Sequence, residues 1–160
     1  MMDLSKLEIK NEGERLYLTH PGTGERLEYG DEGNVQETEV ETVDVSTIED
    51  EEVQDIEVRE KKYMYLVLMS HDSEVYKKKS REIVNKRIQD QRKNPKYILP
   101  PERVDAESDE LLAAVTVGGK LFMDGKEIDV NSKNIIPIYS KYLWIREQAE
   151  NFVHDRSNFL

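Results

Sequence analysis

One stretch of the sequence limits where a hydrophobic core can form. Residues 28–60 contain fourteen acidic residues and one basic residue, Arg59, so this stretch carries a net charge of −13. The rest of the chain holds twenty acidic and twenty-two basic residues and is close to neutral. Because dense like charge repels itself and resists burial, the core must be built from the residues before and after this stretch.

The chain therefore divides into three parts. We predict an N-terminal hairpin region at 1–30, an acidic, partly flexible segment at 31–60, and an α+β body with a C-terminal helix at 61–160. The acidic segment is interpreted as a solvated loop with short extended pieces, because its Val and Ile residues alternate with polar ones. A negatively charged docking surface and a calcium site are the alternatives. Calcium is the weaker one, since the segment lacks the D-x-D-x-D-G spacing of a calcium-binding loop.

Composition excludes several classes of function. The 160 residues suit one domain, and the net charge of −11 argues against a nucleic-acid or anionic-membrane binder. The absence of cysteine excludes disulfides, thiolate nucleophiles and cysteine-ligated metal sites. No apolar run reaches the roughly 20 residues of a membrane span. The first residues, MMDLSKLEIKNEGE, contain no apolar signal sequence, so we expect a cytoplasmic protein.

The spacing of apolar, turn and capping residues predicts a small α+β domain. Its expected parts are an N-terminal β-hairpin, a central strand, three or four helices and a short Asp-Gly hairpin. The apolar run at 63–69 is predicted to be covered on both faces. The first predicted elements are a hairpin at 14–29 that turns at Pro21–Gly24, the strand at 63–69 and a helix at 74–93. A helix at 103–117, which Gly118 and Gly119 stop, and a hairpin at 120–130, which turns at Asp124-Gly125, follow. The last two are a helix from Asn131 or Ser132 to about 140, with a break at Pro137, and a helix from 141 to the C-terminal region.

The predicted helix at 74–93 is strongly basic. Eight basic residues against three acidic ones give it a net charge of +5, and Tyr76, Ile83, Val84 and Ile88 lie near one stripe. The basic side chains favour a solvated face, which the acidic segment of the same chain could attract, and the alternative is a docking face for an acidic partner. Nucleic acid is a weaker alternative, because no exposed aromatic residue is interleaved with these charges.

Two sequence motifs suggest a phosphate-binding loop and a hydrolase triad, but a turn and a helix cap explain them better. The PGTGE turn after His20 lacks the lysine and the helix of a phosphate-binding loop. His71, Asp72 and Ser73 are consecutive, and adjacent residues in a tight turn rarely form a hydrolase triad, so helix capping is preferred. We therefore predict a non-enzyme, with no catalytic, cofactor-binding or metal-binding residues.

The C-terminal helix is the best candidate for a partner contact. Its sequence, KYLWIREQAENFVHDRSNFL, carries an apolar stripe and ends in two large apolar residues. Aromatic and apolar anchors supply much of the energy of protein interfaces. The predicted partner-binding residues are Trp144, Ile145, Phe152, Phe159 and Leu160.

Four stretches together carry a resemblance to a known family. They read MDLSKLEIKNEGERLYLTHPGTGERL, HDSEVYKK, ELLAAVTVGGKLFMDGKEI and NIIPIYSKYLWIREQAENFVHDRSNFL, and the last of them is the most specific. The chain resembles the tail assembly chaperones of long-tailed bacteriophages. The likeness covers most of the chain outside the acidic stretch, which is longer than expected for that family.

The resemblance implies a role and a set of partners. It implies a small, non-catalytic protein of the host cytoplasm that binds the tape-measure protein, keeps it soluble and recruits tail-tube subunits. It also implies absence from the mature virion and no cofactor. Some members of the family occur in short and frameshift-extended forms, and this chain would correspond to the short form. The opposite charges of the basic helix and the acidic segment suggest a homo-oligomer as a further hypothesis. The alternative function is a structural head or tail accessory protein that is retained in the virion.

Overall fold

The computed structural model describes residues 3–29 and 62–160. The acidic segment predicted at 31–60 lies outside the described residues. The described part is a small α+β domain with four α-helices, a four-stranded antiparallel sheet and a separate pair of short strands. The predicted fold class is therefore confirmed at this level. None of the helices in these two described ranges is long and apolar enough to cross a membrane.

The elements follow one another in a simple order. The strands and helices are β1 (Glu14–Tyr17), β2 (Glu28–Tyr29), β3 (Lys62–Tyr63), β4 (Tyr65–Leu68), α1 (Glu74–Lys93), α2 (Pro101–Ala114), β5 (Thr116–Met123), β6 (Lys126–Asp129), α3 (Ile135–Lys141) and α4 (Leu143–His154). Single 3₁₀ turns lie at Leu4–Leu7 and Arg156–Phe159. The large sheet has the order β1-β4-β5-β6, and β2 pairs with β3.

The predicted N-terminal hairpin forms only in part. The chain does reverse after His20, and a single bridge joins Thr19 to Arg26. The strands beyond that bridge separate, however, so that β1 pairs with β4 and β2 with β3. Pairing with β4 places Leu16 opposite Leu66 and brings Leu18 into the core, where it is fully buried. Burial of apolar area against a central strand thus outweighs the local pairing.

The prediction of a central strand is confirmed, but the prediction that this strand is covered on both faces is wrong. Strand β4 lies between β1 and β5. Leu66 and Leu68 are fully buried, whereas Tyr65 and Val67 on the opposite face are half-buried. The four-stranded sheet is antiparallel, and such sheets commonly carry helices on one face only.

The core lies between one face of this sheet and the helices. Helices α3 and α4 pack against each other and against α2, α2 contacts β5, and α4 contacts β4. Their buried side chains include Leu112, Ile135, Tyr139, Ile145 and Val153. Helix α1 stands outside this layer and packs mainly on α2.

Two boundaries differ from the prediction for identifiable reasons. The helix predicted at 103–117 begins at Pro101, where proline is favoured in the first turn, and it ends at Ala114. Gly118 and Gly119 therefore do not stop a helix but lie within β5. Gly119 has a φ of +143°, and a Cβ atom there would clash with the backbone carbonyl of Tyr65. Close approach of β4 explains this glycine.

Of the remaining elements, the second hairpin follows the prediction, whereas the third helix begins later than predicted and lacks the predicted break at Pro137. The turn at Asp124-Gly125 has positive φ at both residues and joins β5 to β6, as predicted. Helix α3 begins at Ile135 rather than near Asn131. Pro137 is consequently its third residue, within the first turn, where its missing N–H removes no helical hydrogen bond and causes no break.

Candidate protein-binding surface

Helix α1 begins at a capped turn after β4. The Ser73 hydroxyl accepts a hydrogen bond from the Tyr76 amide at 3.3 Å, so the predicted capping role is confirmed. Asp72 accepts two hydrogen bonds from Arg156, at 2.6 and 3.2 Å. These bonds hold the pKa of the Asp72 carboxyl below its usual value. The turn is therefore tied to the C-terminal segment.

His71 takes part in the same connection. Its Nδ1 donates to the Val153 carbonyl at 3.0 Å, and its ring stacks on that of His154 at 5.0 Å. His154 in turn donates from Nδ1 to the carbonyl of Glu150 at 2.8 Å. Both imidazoles are thus oriented by the last turn of α4 rather than by a nucleophile. Among residues 3–29 and 62–160, no three metal-ligating side chains are grouped closely enough to hold a metal ion.

The inner side of α1 is attached to α2 by charged groups. Glu107, only 8% exposed, accepts a hydrogen bond from Arg87 Nε at 2.6 Å and one from Arg103 Nε at 2.9 Å. Arg103 also contacts Asp90 at 2.7 Å. Burial alone would raise the pKa of Glu107, but the hydrogen bonds from the two guanidinium groups outweigh it and lower the pKa. The α1–α2 contact therefore depends on an ionised carboxylate.

The outer side of α1 is open. No residue of this helix is buried, and Val75, Val84 and Ile88 have exposed fractions of 39, 48 and 43%. The predicted apolar stripe is thus divided, because Tyr76 and Ile83 are half-buried while Val84 and Ile88 are exposed. Five basic residues of the helix form no ion pair with any described residue: Lys78, Arg81, Lys86, Arg92 and Lys93.

Exposed apolar side chains are concentrated in this part of the molecule. Half of the ten large exposed hydrophobic residues in the described part of the chain lie between residues 74 and 104. They include Ile98, which is 86% exposed in the connection between α1 and α2, and Val104 on α2. Exposed apolar side chains that cluster are typical of interaction surfaces, whereas scattered ones are not. We call the exposed side of α1 together with these two residues the α1 surface.

The five residues predicted to bind a partner are not all on the surface. Ile145 and Phe159 are buried in the core, and the Phe159 ring meets Phe152 edge to face at 5.5 Å. Trp144 and Phe152 are half-buried, and Leu160 is 50% exposed. A contact made by Ile145 or Phe159 would need the C-terminal segment to open. For the other three, the partner contact stays a prediction.

A second carboxylate of α2 is also buried, but its pKa is shifted in the opposite direction from that of Glu107. Asp109 on α2 is 5% exposed and contacts Arg146 of α4 at 3.2 Å. Burial raises the pKa of Asp109 in spite of this pairing. Nearby, Thr116 and Tyr139 share a buried hydrogen bond of 2.7 Å, and burial also raises the pKa of the Tyr139 phenol. These groups stabilise the helix layer and do not reach the surface.

The sequence analysis missed the outer face of the sheet. Arg15 lies 4.5 Å from the centre of the Tyr65 ring, and Arg26 lies 4.5 Å from that of Tyr17 and 5.7 Å from that of Tyr63. Such cation–π contacts stabilise a half-exposed aromatic face. The alternation of Arg15 with Tyr17, and of Tyr63 with Tyr65, was a signal for it.

Comparison with protein-family models, with curated proteins and with solved structures found no match. The α1 surface combines the basic side chains of α1 with exposed apolar side chains.

Proposed function

We propose that this chain is a non-catalytic tail assembly chaperone of a long-tailed bacteriophage, which binds the tape-measure protein, keeps it soluble and recruits tail-tube subunits. The observation that carries the proposal is helix α1, which has twenty residues, none of them buried. A helix of this kind keeps its apolar side chains available for another polypeptide. The resemblance of the surrounding sequence to tail assembly chaperones supports the choice of partner.

The charge of the chain suits such a role. A tape-measure protein is long and adhesive before assembly, so its complexes must be kept apart. A coat of small proteins with a net charge of −11 each would provide that separation by repulsion. The function needs binding and repulsion only, and it requires no bond to be made or broken.

Co-expression with the tape-measure protein from the same source tests the proposal. We expect the tape-measure protein to remain in the soluble fraction with this chain and to enter the pellet without it. An unrelated acidic protein of similar size is the control for a general effect of charge. Equal solubility with the control would contradict the proposal.

Protein content of purified virions separates the proposal from its alternative. A chaperone is absent from the finished particle, whereas a head or tail accessory protein is present in a fixed number of copies per particle.

The predicted C-terminal contact is tested in the same assay. Trp144→Ala and Leu160→Ala should reduce the solubility of the tape-measure protein if these residues bind it. Phe159→Ala is unsuitable, because Phe159 is buried and its loss would destabilise the domain whether or not the residue contacts a partner.

A further inference from the structure

Helix α1 has two rows of residues with the same alternating spacing of four and three. The first row consists of half-buried residues: Tyr76, Ser80, Ile83, Arg87 and Asp90. Arg87 and Asp90 in this row make the ion pairs to α2. The second row consists of Lys77, Arg81, Val84 and Ile88, and we call it the outer row.

The outer row has no covering element in the described part of the chain. Val84 and Ile88 are 48% and 43% exposed, and the Lys77 side chain is 48% exposed. Arg81 forms no ion pair with a described residue, and Lys77 has only the local contact to Glu74 at 3.6 Å. The row therefore offers two positive charges at one end and two apolar side chains at the other.

The outer row runs along α1, so a second helix that lies along it would contact all four of its side chains. Residues at alternating intervals of four and three form such a line on an α-helix. From Lys77 to Ile88 the row is about 16 Å long, at 1.5 Å per residue, which is the length of about three turns of a second helix.

The charge of the outer row indicates the chemistry of the partner. Apolar side chains on the partner would cover Val84 and Ile88, and carboxylates would face Lys77 and Arg81. A basic helix would be repelled by the five cations of α1 that form no ion pair with a described residue. An extended anionic membrane would meet much of the chain, whose net charge is −11, whereas a helix of three turns would meet α1 and its basic side chains, since charges more than about 10 Å away are largely screened.

We propose that the outer row is the docking site for an acidic amphipathic helix of another protein. This inference rests on the proposed function in that it names the type of segment the chaperone holds. Apolar contact with Val84 and Ile88 supplies affinity, and the pairing of charges at Lys77 and Arg81 sets the direction of the bound helix.

Binding of a synthetic peptide to the full chain tests the inference. The probe is a labelled helical peptide of about three heptads with Leu at the a and d positions and Glu elsewhere, and its twin carries Lys in place of Glu. Fluorescence anisotropy should show binding of the Glu peptide that depends on Val84 and Ile88. The Lys peptide is attracted by the acidic stretch 28–60, and any binding of it should not depend on these two residues. Absence of binding of the Glu peptide, or equal dependence of both peptides on Val84 and Ile88, would overturn the inference.

Variants on two sides of α1 locate the site. The double variant Val84→Ala/Ile88→Ala should weaken binding of the Glu peptide by about tenfold or more. Val75→Ala is the matched control, because Val75 is exposed on the same helix but lies outside the outer row, and it should bind like the native chain. Circular dichroism confirms that each variant is folded. Native affinity in the double variant would overturn the inference.

A second copy of the chain is a competing occupant that sedimentation can identify. A native oligomer that dissociates in the double variant would show that the outer row binds another copy, and would overturn the inference.

The tape-measure assay keeps the two proposals distinguishable. If the double variant keeps the tape-measure protein soluble, the proposed function stands and the docking site is wrong. If the native chain fails in that assay while the Glu peptide binds at the outer row, the site stands and the proposed function is wrong.

Discussion

Helix α1 is twenty residues long and buries no side chain, whereas α4, with twelve residues, buries Ile145, Ala149 and Val153. Both helices carry an apolar stripe in the sequence. Helix α4 lies against β4, α2 and α3, so its stripe is enclosed from several sides. Among the elements of residues 3–29 and 62–160, helix α1 has one main neighbour, α2, and the contact between the two helices includes several ion pairs. An apolar stripe thus predicts a helix, and the number of elements around that helix decides whether the stripe becomes core or surface.

The largest expected loss of stability is at Phe159, in the 3₁₀ turn that follows α4. Phe159→Ala should lower the free energy of unfolding by about 3–5 kcal/mol, because a fully buried ring is removed and a cavity remains. Urea denaturation measures the change. Leu160→Ala is the control at the adjacent, exposed position and should cost less than about 0.5 kcal/mol. Equal costs at the two positions would show that the C-terminal segment is not docked.

The next effect is at the charged contact that holds α1. Glu107→Gln should lower the free energy of unfolding by about 1–3 kcal/mol, because the buried carboxylate accepts hydrogen bonds from two arginines. Glu110→Gln is the matched control on the same helix, since its carboxylate is about half exposed and has one contact to Lys79 at 3.8 Å. The control should change stability by less than about 0.5 kcal/mol. A cost for Glu107→Gln no larger than that of the control would mean that α1 is held by other contacts.

A fall in pH should act in opposite directions on two contacts of α2, the contact of Glu107 with α1 and the contact of Asp109 with α4. The lowered pKa of Glu107 stabilises the fold above the usual glutamate pKa of about 4.3, and this contribution is lost as the pH falls through the folded value. The raised pKa of Asp109 has the reverse sign, because the folded state takes up that proton more readily. Between pH 6 and pH 3, hydrogen exchange corrected for intrinsic rates should show α1 losing protection before α4. Loss of protection in α4 first would contradict this assignment.

The smallest expected effect is on the exposed side of α1. Val84→Ala/Ile88→Ala should change the free energy of unfolding by less than about 1 kcal/mol, since both side chains are about half exposed and alanine favours helix. The counterpart in α4 is Ile145→Ala, which should cost about 2–5 kcal/mol. Denaturation of both variants under one condition compares the two helices directly. A large cost for the double variant would show that α1 is covered.

Elements specified by local signals were predicted well. Helix α1 begins after the capping residue Ser73 and ends before Pro95, and the Asp124-Gly125 turn joins the two strands that flank it. Several predictions that depended on distant contacts were wrong. The glycines at 118 and 119 were interpreted as a helix stop because their role, the close approach of β4, lies outside the local sequence.

The candidate site also combines features that depend on the local sequence with features that depend on distant contacts. The sequence by itself determined the basic character of α1, its apolar side chains and its length, since these depend on residue types and on the spacing of one helix. Only the tertiary structure decided that Ile145 and Phe159 are core, that Val84 and Ile88 are exposed, and that Glu107 joins two arginines. The physical reason is that burial and pKa are set by neighbours distant in the chain, whereas helix formation and capping are set by residues within one or two turns.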